Sequence, residues 1–573
     1  MSMYGSRLPS PLLSEGRGQV DGGGHVNPQA SAARSRTSGP GRPPRGEHRP
    51  WRMSHLGYQL ICLAVKQTAP VQAGFFEMPS RHALNRYIEG YFSGFHEHLP
   101  FLHLPTTHMP SLAPELILAI AAVGAKYRFQ GQQGQKLSEC ARAVIAWRLE
   151  EMARPPPSSV EEQQQADASI QLLQAMVLIM ALGTWNQASE LSKSAQLGVQ
   201  IALFIRELGL LEPAPTAVSH EPTWEAWIRL ESSRRTKLVA YCFLNLQCIA
   251  YDWPTHIAAG SIDLRLPCSE TLWRADGPDA WSELYTAIAP DERIVSFKQA
   301  YSHLFGQDQG GAEATTAQPL RLSYFGNYIM AHAILQQVFH ARQAALPCAP
   351  DSSLPDDALA RLECALGRWQ KNWESTEDPS IDPSSPSGPL SFNSTALFRL
   401  AHVRMHADLG PHRHLETRDP SRIAVGLKDV PHLRRSGQVF EAVLQCVHAL
   451  SIPVRIGVEF VSRMQAPLWS IVHCLCNFEC AAFLGQWLGC VATRTDNGDL
   501  VEEHELRLVN LVQGVLRETD NGVEVDAERD LARRCRLMAA AVARVCSQTL
   551  RGTHVWEIMD VIGSALEMRA AMF

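Results

Sequence analysis

The sequence contains no long uninterrupted run of apolar residues. Its longest such run, Leu116 to Ala125, is far shorter than the roughly 20 residues that a membrane-spanning helix needs. The first fifty residues hold no apolar stretch of the kind that forms the core of a secretory signal peptide. We therefore expect neither a membrane partner nor export from the cell.

Regularly spaced cysteines are also lacking. Fourteen cysteines are scattered through the chain without the spacing of a disulfide framework, which favours reduced thiols in the cytosol or nucleus. The first of them is Cys62, so the residues before it cannot supply the cysteine pair of a zinc finger or a zinc cluster. We expect no metal or other cofactor within the chain.

Two groups of side chains carry the chemistry of metal ligands without the paired spacing. The first consists of His96, His98, His103 and His108. Prolines and apolar residues separate these histidines, which is typical of a tightly packed turn. The second consists of His473, Cys476 and Cys480, which share one helix face with Trp469 and Phe483. Because cysteine commonly behaves as a small buried hydrophobe, we interpret both groups as core and predict no metal site.

Enzyme motifs are missing as well. The chain has no Gly-x-Ser-x-Gly, P-loop, Gly-x-Gly-x-x-Gly or His-Glu-x-x-His sequence. The nearest approaches, around His96-Glu97-His98 and His504-Glu505, lack the second histidine one helical turn on. We therefore predict no catalytic residues and no enzyme.

Strand-like alternation of apolar and polar residues is nearly absent, whereas helical periodicity recurs. The long periodic segments are 114–129, 321–345, 355–374, 394–407, 437–450, 466–492, 503–517 and 527–548. Two further helices are expected, one opening near Ser158 and interrupted at Gly183, the other over about 187–208 and ending before Gly209. The fold class predicted from this pattern is all-α, a large multi-helix bundle with a disordered N-terminal tail.

The predicted tail, residues 1–55, is rich in Gly, Pro, Ser and Arg and poor in aliphatic residues, so it cannot bury enough apolar surface to offset the entropy of ordering. Its eight arginines and three acids give it a charge of +5, against −11 for the remainder of a chain whose total is −6. Gly41-Arg42-Pro43 is similar to part of an AT-hook, which lies in the DNA minor groove. Nonspecific phosphate contact or a localisation signal explains the same composition. The candidate DNA-binding residues are Arg34, Arg36, Arg42 and Arg45.

One helical stripe combines a tryptophan, a carboxylate and a guanidinium. Trp227, Glu231 and Arg235 are four residues apart and share a helix face. We favour a packing role, because an arginine–carboxylate pair beside tryptophan most often fixes helix packing in an interior. The alternative is an anion-binding or DNA-contacting patch formed with Arg234.

This helix and the segment after it resemble the middle homology region of fungal-specific transcription factors. That region has a helix with Trp, Glu and paired Arg, followed by an extended Leu-Pro-Cys-x-Glu-x-Leu-Trp segment. The matching residues here are Trp227, Glu231, Arg234, Arg235, Pro267, Cys268, Glu270 and Trp273. The His-x-His-Leu-Pro-Phe-Leu-His stretch from His96 to His103 is similar to the opening of the same domain. The C-terminal part, with Pro453, Gly457 and Glu479 among its matching residues, resembles the version found behind two-cysteine, two-histidine zinc fingers.

Composition and the resemblance together predict four parts: a basic tail at 1–55, an all-α homology region at 75–374, a polar loop or linker at 375–393, and a C-terminal helical lobe at 394–573 packed on the homology region. The resemblance also implies a function. It implies a nuclear regulator of RNA polymerase II genes and, by analogy with many such regulators, control of a specialised-metabolite gene cluster. The zinc that the family uses belongs to an N-terminal module that is missing or truncated here, so we expect weak or indirect DNA contact and partnership with other transcription factors or a second copy. Two alternatives remain open: a decoy or interaction subunit of a complete zinc-finger factor, and a small-molecule-binding helical protein.

Overall fold

The computed structural model describes residues 51–68, 76–153, 162–212, 222–289, 293, 295–306, 318–345, 354–383, 385, 388–431, 433, 437–468 and 470–573. The helices of this part of the chain, in order, are α1 His55–Thr68, α2 Arg81–Gly94, α3 Pro114–Tyr127, α4 Gly131–Met152, α5 Glu162–Trp185, α6 Ala188–Glu207, α7 Trp224–Tyr251, α8 Glu270–Trp273, α9 Pro278–Ala287, α10 Phe297–Phe305, α11 Tyr324–Ala345, α12 Asp356–Glu374, α13 Leu390–His406, α14 Pro420–Gly426, α15 Val439–Ile456, α16 Val458–Leu468, α17 Ile471–Asp496, α18 Glu503–Leu516, α19 Gly522–Ala527, α20 Leu531–Thr549 and α21 Glu557–Ala570.

The described residues contain no strand, which confirms the predicted all-α class. Two isolated β-bridges, Leu211 with Asp263 and Arg265 with Ser296, tie loops together without forming a sheet. Residues 1–50, with the four candidate DNA-binding arginines, lie outside the described residues. The predicted disorder up to residue 55 does not extend over the residues that are described, because Trp51 stacks on Phe92 with ring centres 5.1 Å apart and Met53 is buried.

Several helix ends follow the capping chemistry of the sequence. Ser80 and Thr223 accept N-terminal backbone N–H groups of α2 and α7, and Ser296 with Gln299 forms a complete capping box at α10. Gly209 follows α6 with a φ of +81°, a left-handed conformation that glycine adopts without steric cost. The predicted stop of this helix is thus correct.

Gly183 does not interrupt its helix, so that prediction was wrong. Helix α5 continues to Trp185. A Cβ atom at Gly183 would lie 3.0 Å from a guanidinium nitrogen of Arg142 and 3.1 Å from the Cβ of Ser194. This glycine therefore permits close packing of α5 against α4 and α6 instead of breaking the helix. The segment predicted over 466–492 is likewise divided between α16 and α17.

Arg49–Phe573 form one compact unit in which α17 packs along α20 and α15, and α2, α3 and α4 pack in succession. Helices α11 and α12 precede the predicted linker at 375–393, and both pack directly on α13, which begins at Leu390 within the predicted linker. The division of the chain into a homology region and a C-terminal lobe stays a prediction.

Three helices of the described chain are long and apolar enough to cross a membrane by length and composition. They are Gln163–Trp185, Val439–Ile456 and Ile471–Asp496, and 83%, 61% and 78% of their most apolar windows are buried inside the protein. Polar residues interrupt the apolar sequence of these helices, so a search for uninterrupted apolar runs did not identify them. In this structure their apolar faces form helix contacts of the core.

Candidate functional site

Helix α7 positions the paired arginines of the sequence signature. Its N-terminus is capped by the Thr223 side chain, and Glu225 in the first turn places a negative charge near the positive end of the helix dipole. Asp252, the residue after the helix, has a left-handed φ of 56°, and its N–H donates to the carbonyl oxygen of Cys248. The second half of α7 is buried on all sides. The helix is therefore a central support against which other segments pack.

Glu231 and Arg235 form a fully buried ion pair on α7. The Nε of Arg235 donates to Glu231 Oε1 at 2.9 Å, and its two Nη groups donate to the carbonyl oxygens of Pro100 and Cys268 at 3.3 and 2.9 Å. The N–H of Cys268 donates to the same Glu231 oxygen at 2.9 Å. Two segments far apart in sequence, 99–103 and 266–273, are thus held on one face of α7.

The signature residues of 266–273 surround this pair. Ser269 caps α8, and the buried Glu270 accepts the N–H of Phe325 at 3.2 Å. Trp273 lies against the Arg235 guanidinium, 4.5 Å from the centre of its ring, and packs with Trp227 in one apolar cluster. The backbone of Pro267 accepts a hydrogen bond from Ser323 at 2.8 Å, which joins this segment to the start of α11.

Arg234 lies beside this pair and has a different partner. It donates from Nε and Nη2 to the two carboxylate oxygens of Glu212, at 2.7 and 2.8 Å, and its Nη1 lies 3.5 Å from Glu231. Bidentate pairing of this kind is the strong geometry for arginine and carboxylate. Both guanidiniums are buried and held by protein acceptors, and this geometry favours packing over anion binding at this pair.

The pKa values of the two buried carboxyl groups in this network, Glu231 and Glu270, shift in opposite directions. Burial opposes ionisation of Glu231, but the positive charges of Arg235 and Arg234 and the Cys268 N–H outweigh it and lower the Glu231 pKa. Burial dominates at Glu270 and raises its pKa, despite the charge of Arg235. Glu231 is therefore the anion that the arginines share.

The histidine turn packs against the same network. His96, His98 and His103 are buried, and burial lowers their pKa values to about 3, 4 and 4. Side chains of Thr106 and Asn393 hydrogen-bond to His103 and His98, at 2.8 and 3.1 Å. His103 also meets the ring of Trp273 edge-on at 4.8 Å, whereas His108 is exposed. These histidines are neutral packing groups that link the turn to α7, α8 and α13.

A second buried ion-pair cluster, here called the Glu479 junction, lies at the C-terminal end of α7. Glu479 of α17 accepts hydrogen bonds from Arg404 Nε at 2.9 Å and from Arg413 Nη1 at 2.5 Å. Both arginines also donate to the carbonyl oxygen of Ile249, in the last turn of α7. Such terminal carbonyls lack partners within their own helix, so the arginines complete α7 while fixing α17 and α13 to it.

His473, Cys476 and Cys480, the second group with the chemistry of metal ligands, lie on α17 and pack in the protein core. His473 stacks on Phe392 with ring centres 3.8 Å apart, and the sulfur atoms of Cys476 and Cys480 lie 3.8 Å apart. Among the described residues no group of three His, Cys, Asp or Glu side chains has the geometry to hold a metal ion. Trp469, which supported the core interpretation of this helix, lies outside the described residues.

Sequence reasoning missed several partners of these networks. Glu212 pairs with Arg234 across 22 residues, and Arg404 and Arg413 reach Glu479 across 75 and 66 residues. In each of these pairs the two partners lie on different elements of the chain, so no local pattern could have indicated the pairing.

Two protein-family models match the chain. Residues 88–333 match the model of the fungal specific transcription factor domain, and residues 408–568 match that of the fungal transcription factor C-terminal domain. Zinc finger protein klf1 of Schizosaccharomyces pombe is 23% identical over 224 residues, which cover 37% of this chain and 27% of klf1. The matched part thus spans about a quarter of that relative. No solved structure matches the chain.

Proposed function

The chain belongs to the fungal specific transcription factor family, and we propose on that basis that it acts in the nucleus as a regulator of genes transcribed by RNA polymerase II. The observation that carries the proposal is the presence of both family domains, at 88–333 and 408–568, in one helical body. Neither family is enzymatic. The similarity to a zinc finger protein, although it covers only part of both chains, supports the same class of function.

The two buried ion-pair networks support a regulatory body that works as one piece. Glu231 and Arg235 lie in the first family domain, whereas Arg413 and Glu479 of the Glu479 junction lie in the second. Through Ile249 the junction joins the second domain to the same helix that carries the signature. A structural change at either end of α7 is therefore expected to alter the packing of both domains.

We propose that sequence-specific DNA recognition depends on a zinc module that residues 1–61 do not supply, because they contain no cysteine pair. That module belongs either to a zinc finger protein with which this chain associates or to a part of the protein outside this sequence. A weak, salt-dependent contact through the basic tail would add to it. A specialised-metabolite gene cluster is a proposed target.

Comparing transcripts of a deletion strain with those of the wild type tests the function. We expect a defined set of genes to change, with restoration by the intact gene and not by a gene encoding Glu231→Ala. A tagged chain should accumulate in the nucleus. Unchanged transcripts together with cytosolic accumulation would refute the proposal. A zinc finger protein that co-purifies with the chain and binds its promoters more strongly when the chain is absent would favour the decoy alternative.

A further inference from the structure

An open cavity lies where the two family domains meet. Its walls are the first three turns of α4, the residues that join α5 to α6, Lys126 near the end of α3 and Glu557 at the start of α21, and we call it the Ser138 cavity. Glu557 belongs to the second family domain, and the other walls belong to the first. The volume is about 610 Å³, within the range of about 300–1,000 Å³ that is usual for small-molecule sites.

Two buried polar side chains of the lining have hydrogen-bonding groups without a partner. Ser138 on α4 is 5% exposed, and within the described chain its hydroxyl makes no hydrogen bond. Asn186 donates from Nδ2 to the carbonyl oxygen of Leu182 at 2.7 Å, whereas its Oδ1 is buried and accepts from no described residue. Because an unpaired buried polar group costs free energy, such groups are normally satisfied. A water molecule or a ligand hydroxyl in the cavity would supply the missing hydrogen bonds.

Exposed amides add further donors and acceptors. Gln132 in the first turn of α4 and Gln187 before α6 line the cavity, and their side chains make no hydrogen bond within the described chain. The N-cap residues of these two helices, Gln130 and Gln187, also provide no side-chain cap to the first backbone N–H groups. Amides and hydroxyls both donate and accept, so this lining matches a ligand that carries several hydroxyl groups.

The charged side chains of the lining cancel. They are Lys126, Lys136, Arg142, Glu139, Glu190 and Glu557. Lys126 Nζ lies 3.4 Å from Glu557, and Arg142 Nη2 lies 3.6 Å from Glu190, so four of the six charges are already paired. The other two have opposite signs. A charged ligand would therefore gain no net attraction and would compete with the ion pairs, which favours an uncharged ligand.

We propose that the Ser138 cavity binds an uncharged polyhydroxyl compound of the size of a monosaccharide or a small polyol. Such a ligand would bond to Ser138 and lie beside the Lys126–Glu557 ion pair, which joins the two family domains. The regulatory consequence rests on the proposed function, since the ligand would act as an effector that changes how the two domains pack. Binding itself requires only the folded chain.

The test uses two pairs of probes with similar carbon skeletons. Glucose and glucitol are the uncharged members, and glucosamine and gluconate are their cationic and anionic counterparts. Each is titrated into the purified full chain without DNA and followed by ligand-detected NMR, so the result is independent of any transcript measurement. We expect at least one uncharged probe to bind at a single site, and its charged counterpart to bind roughly fivefold more weakly or less, because the cavity offers no unpaired counter-ion in excess.

Removing the buried hydroxyl locates the site. Ser138→Ala should weaken the bound uncharged probe by roughly fivefold, the loss of one hydrogen bond. The matched control is Ser169→Ala, which should change nothing. Ser169 is comparably buried on α5, lies outside the cavity lining and donates only to Gln165 of its own helix.

Filling the cavity gives a second measurement. A Cβ atom at Gly131 would meet only Lys126 Nζ, at 3.7 Å, so Gly131→Trp places its ring in the cavity without displacing the core. It should abolish binding of the uncharged probe. Gly367→Trp is the control, because Gly367 is exposed on α12 and an added Cβ there meets nothing within 4 Å.

Thermal melting of each variant shows whether it is folded. If Gly131→Trp does not fold, Gln187→Trp replaces it, because Gln187 is exposed on the opposite wall. Binding of neither uncharged probe would overturn the proposal, and so would a charged counterpart that binds as tightly. A Ser138→Ala effect no larger than that of Ser169→Ala, or undiminished binding to a folded variant with a filled cavity, would also overturn it.

Discussion

The guanidinium of Arg235 lies over the ring of Trp273, 4.5 Å from its centre, while its Nε donates to Glu231 at 2.9 Å. In the protein interior, both the aromatic face and the carboxylate stabilise the positive charge of this guanidinium. Removing either partner leaves a buried charge without its counter-ion. A substitution of either Glu231 or Arg235 is therefore expected to lower the stability of the fold strongly.

Glu231→Ala should destabilise the protein by about 3–5 kcal/mol, because it strands Arg235 in the interior and removes the acceptor for the Cys268 N–H. Chemical denaturation of the purified chain measures the change. Glu225→Ala is the matched control, since Glu225 is an exposed glutamate on the same helix, and it should cost less than about 1 kcal/mol. Equal stability of the two variants would show that the pair does not support the fold.

A second substitution concerns the Glu479 junction. Glu479→Gln keeps the shape of the side chain but removes the anion that Arg404 and Arg413 share, and should also cost about 3–5 kcal/mol. Limited proteolysis should then cut between the two family domains more readily. Glu459→Gln removes an exposed pair with Arg463 and should change stability by less than about 1 kcal/mol. Identical proteolysis patterns for the two variants would contradict a joining role of the junction.

The contrast between these two networks shows how much the sequence could predict. The Glu231–Arg235 pair could be predicted from the sequence, because four residues separate its members on one helix. The Glu479 junction could not, because Arg404 and Arg413 come from other elements and meet Glu479 only in the folded chain.

Helix prediction succeeded where the apolar periodicity was followed. Periodic segments such as those of α11 and α12 were located to within a few residues, whereas α4 was missed. The buried face of α4 carries Leu137, Cys140, Ala141, Val144 and Ile145 at helical spacing, so its signal was present in the sequence. Gly134 and Ser138 complete this face, and their burial follows from close packing on α3 and α5.

Acid should destabilise the protein well above the pH at which carboxylates titrate, because many histidines are buried. Burial lowers the pKa of His96, His332 and His402 to about 3 and of His98, His103, His406 and His448 to about 4. In the unfolded chain these groups titrate near about 6.5. Between about pH 6.5 and pH 4 the unfolded state therefore binds protons that the folded state does not. The free energy of unfolding consequently decreases as the pH is lowered, by roughly 1 kcal/mol per histidine per pH unit.

Denaturant unfolding between about pH 7.5 and pH 5.5 measures this slope. His332→Gln should reduce the slope by about one proton, provided that the variant folds. The lowered pKa values of Glu231 and Glu479 add a further loss only below about pH 4.3. Stability that stays constant down to about pH 5 would show that these histidines do not remain neutral in the folded state.

The purified chain should contain close to no zinc, because neither its cysteine spacing nor the described histidine and cysteine groups provide a ligand set. Elemental mass spectrometry of protein prepared without chelator measures the content. One equivalent of tightly held zinc that disappears on replacing His473, Cys476 and Cys480 would contradict the interpretation of that helix face as core. A klf1 fragment that contains its zinc finger serves as the positive control for metal recovery.

Any DNA affinity of the chain alone should come from its N-terminal tail. The tail carries a charge of +5 and the remainder −11, so the body repels phosphate while the tail attracts it. Replacing Arg34, Arg36, Arg42 and Arg45 by glutamine should abolish binding in a mobility-shift assay at low salt. Four exposed arginines of the helical body provide the matched control when replaced in the same way: Arg229, Arg361, Arg463 and Arg507.

Deleting residues 1–48 should have the same effect on binding and leave the melting temperature unchanged, because the deletion retains Trp51 and Met53, which pack on the body. The intact chain should lose affinity steeply as salt rises and prefer little beyond A·T-rich minor groove, since phosphate contacts carry no sequence information. Selective binding of one promoter sequence by the deleted protein at physiological salt would show that the helical body itself contacts base edges. In that case recognition would not require a zinc finger partner, and an ordered element of the body would have to enter the major groove.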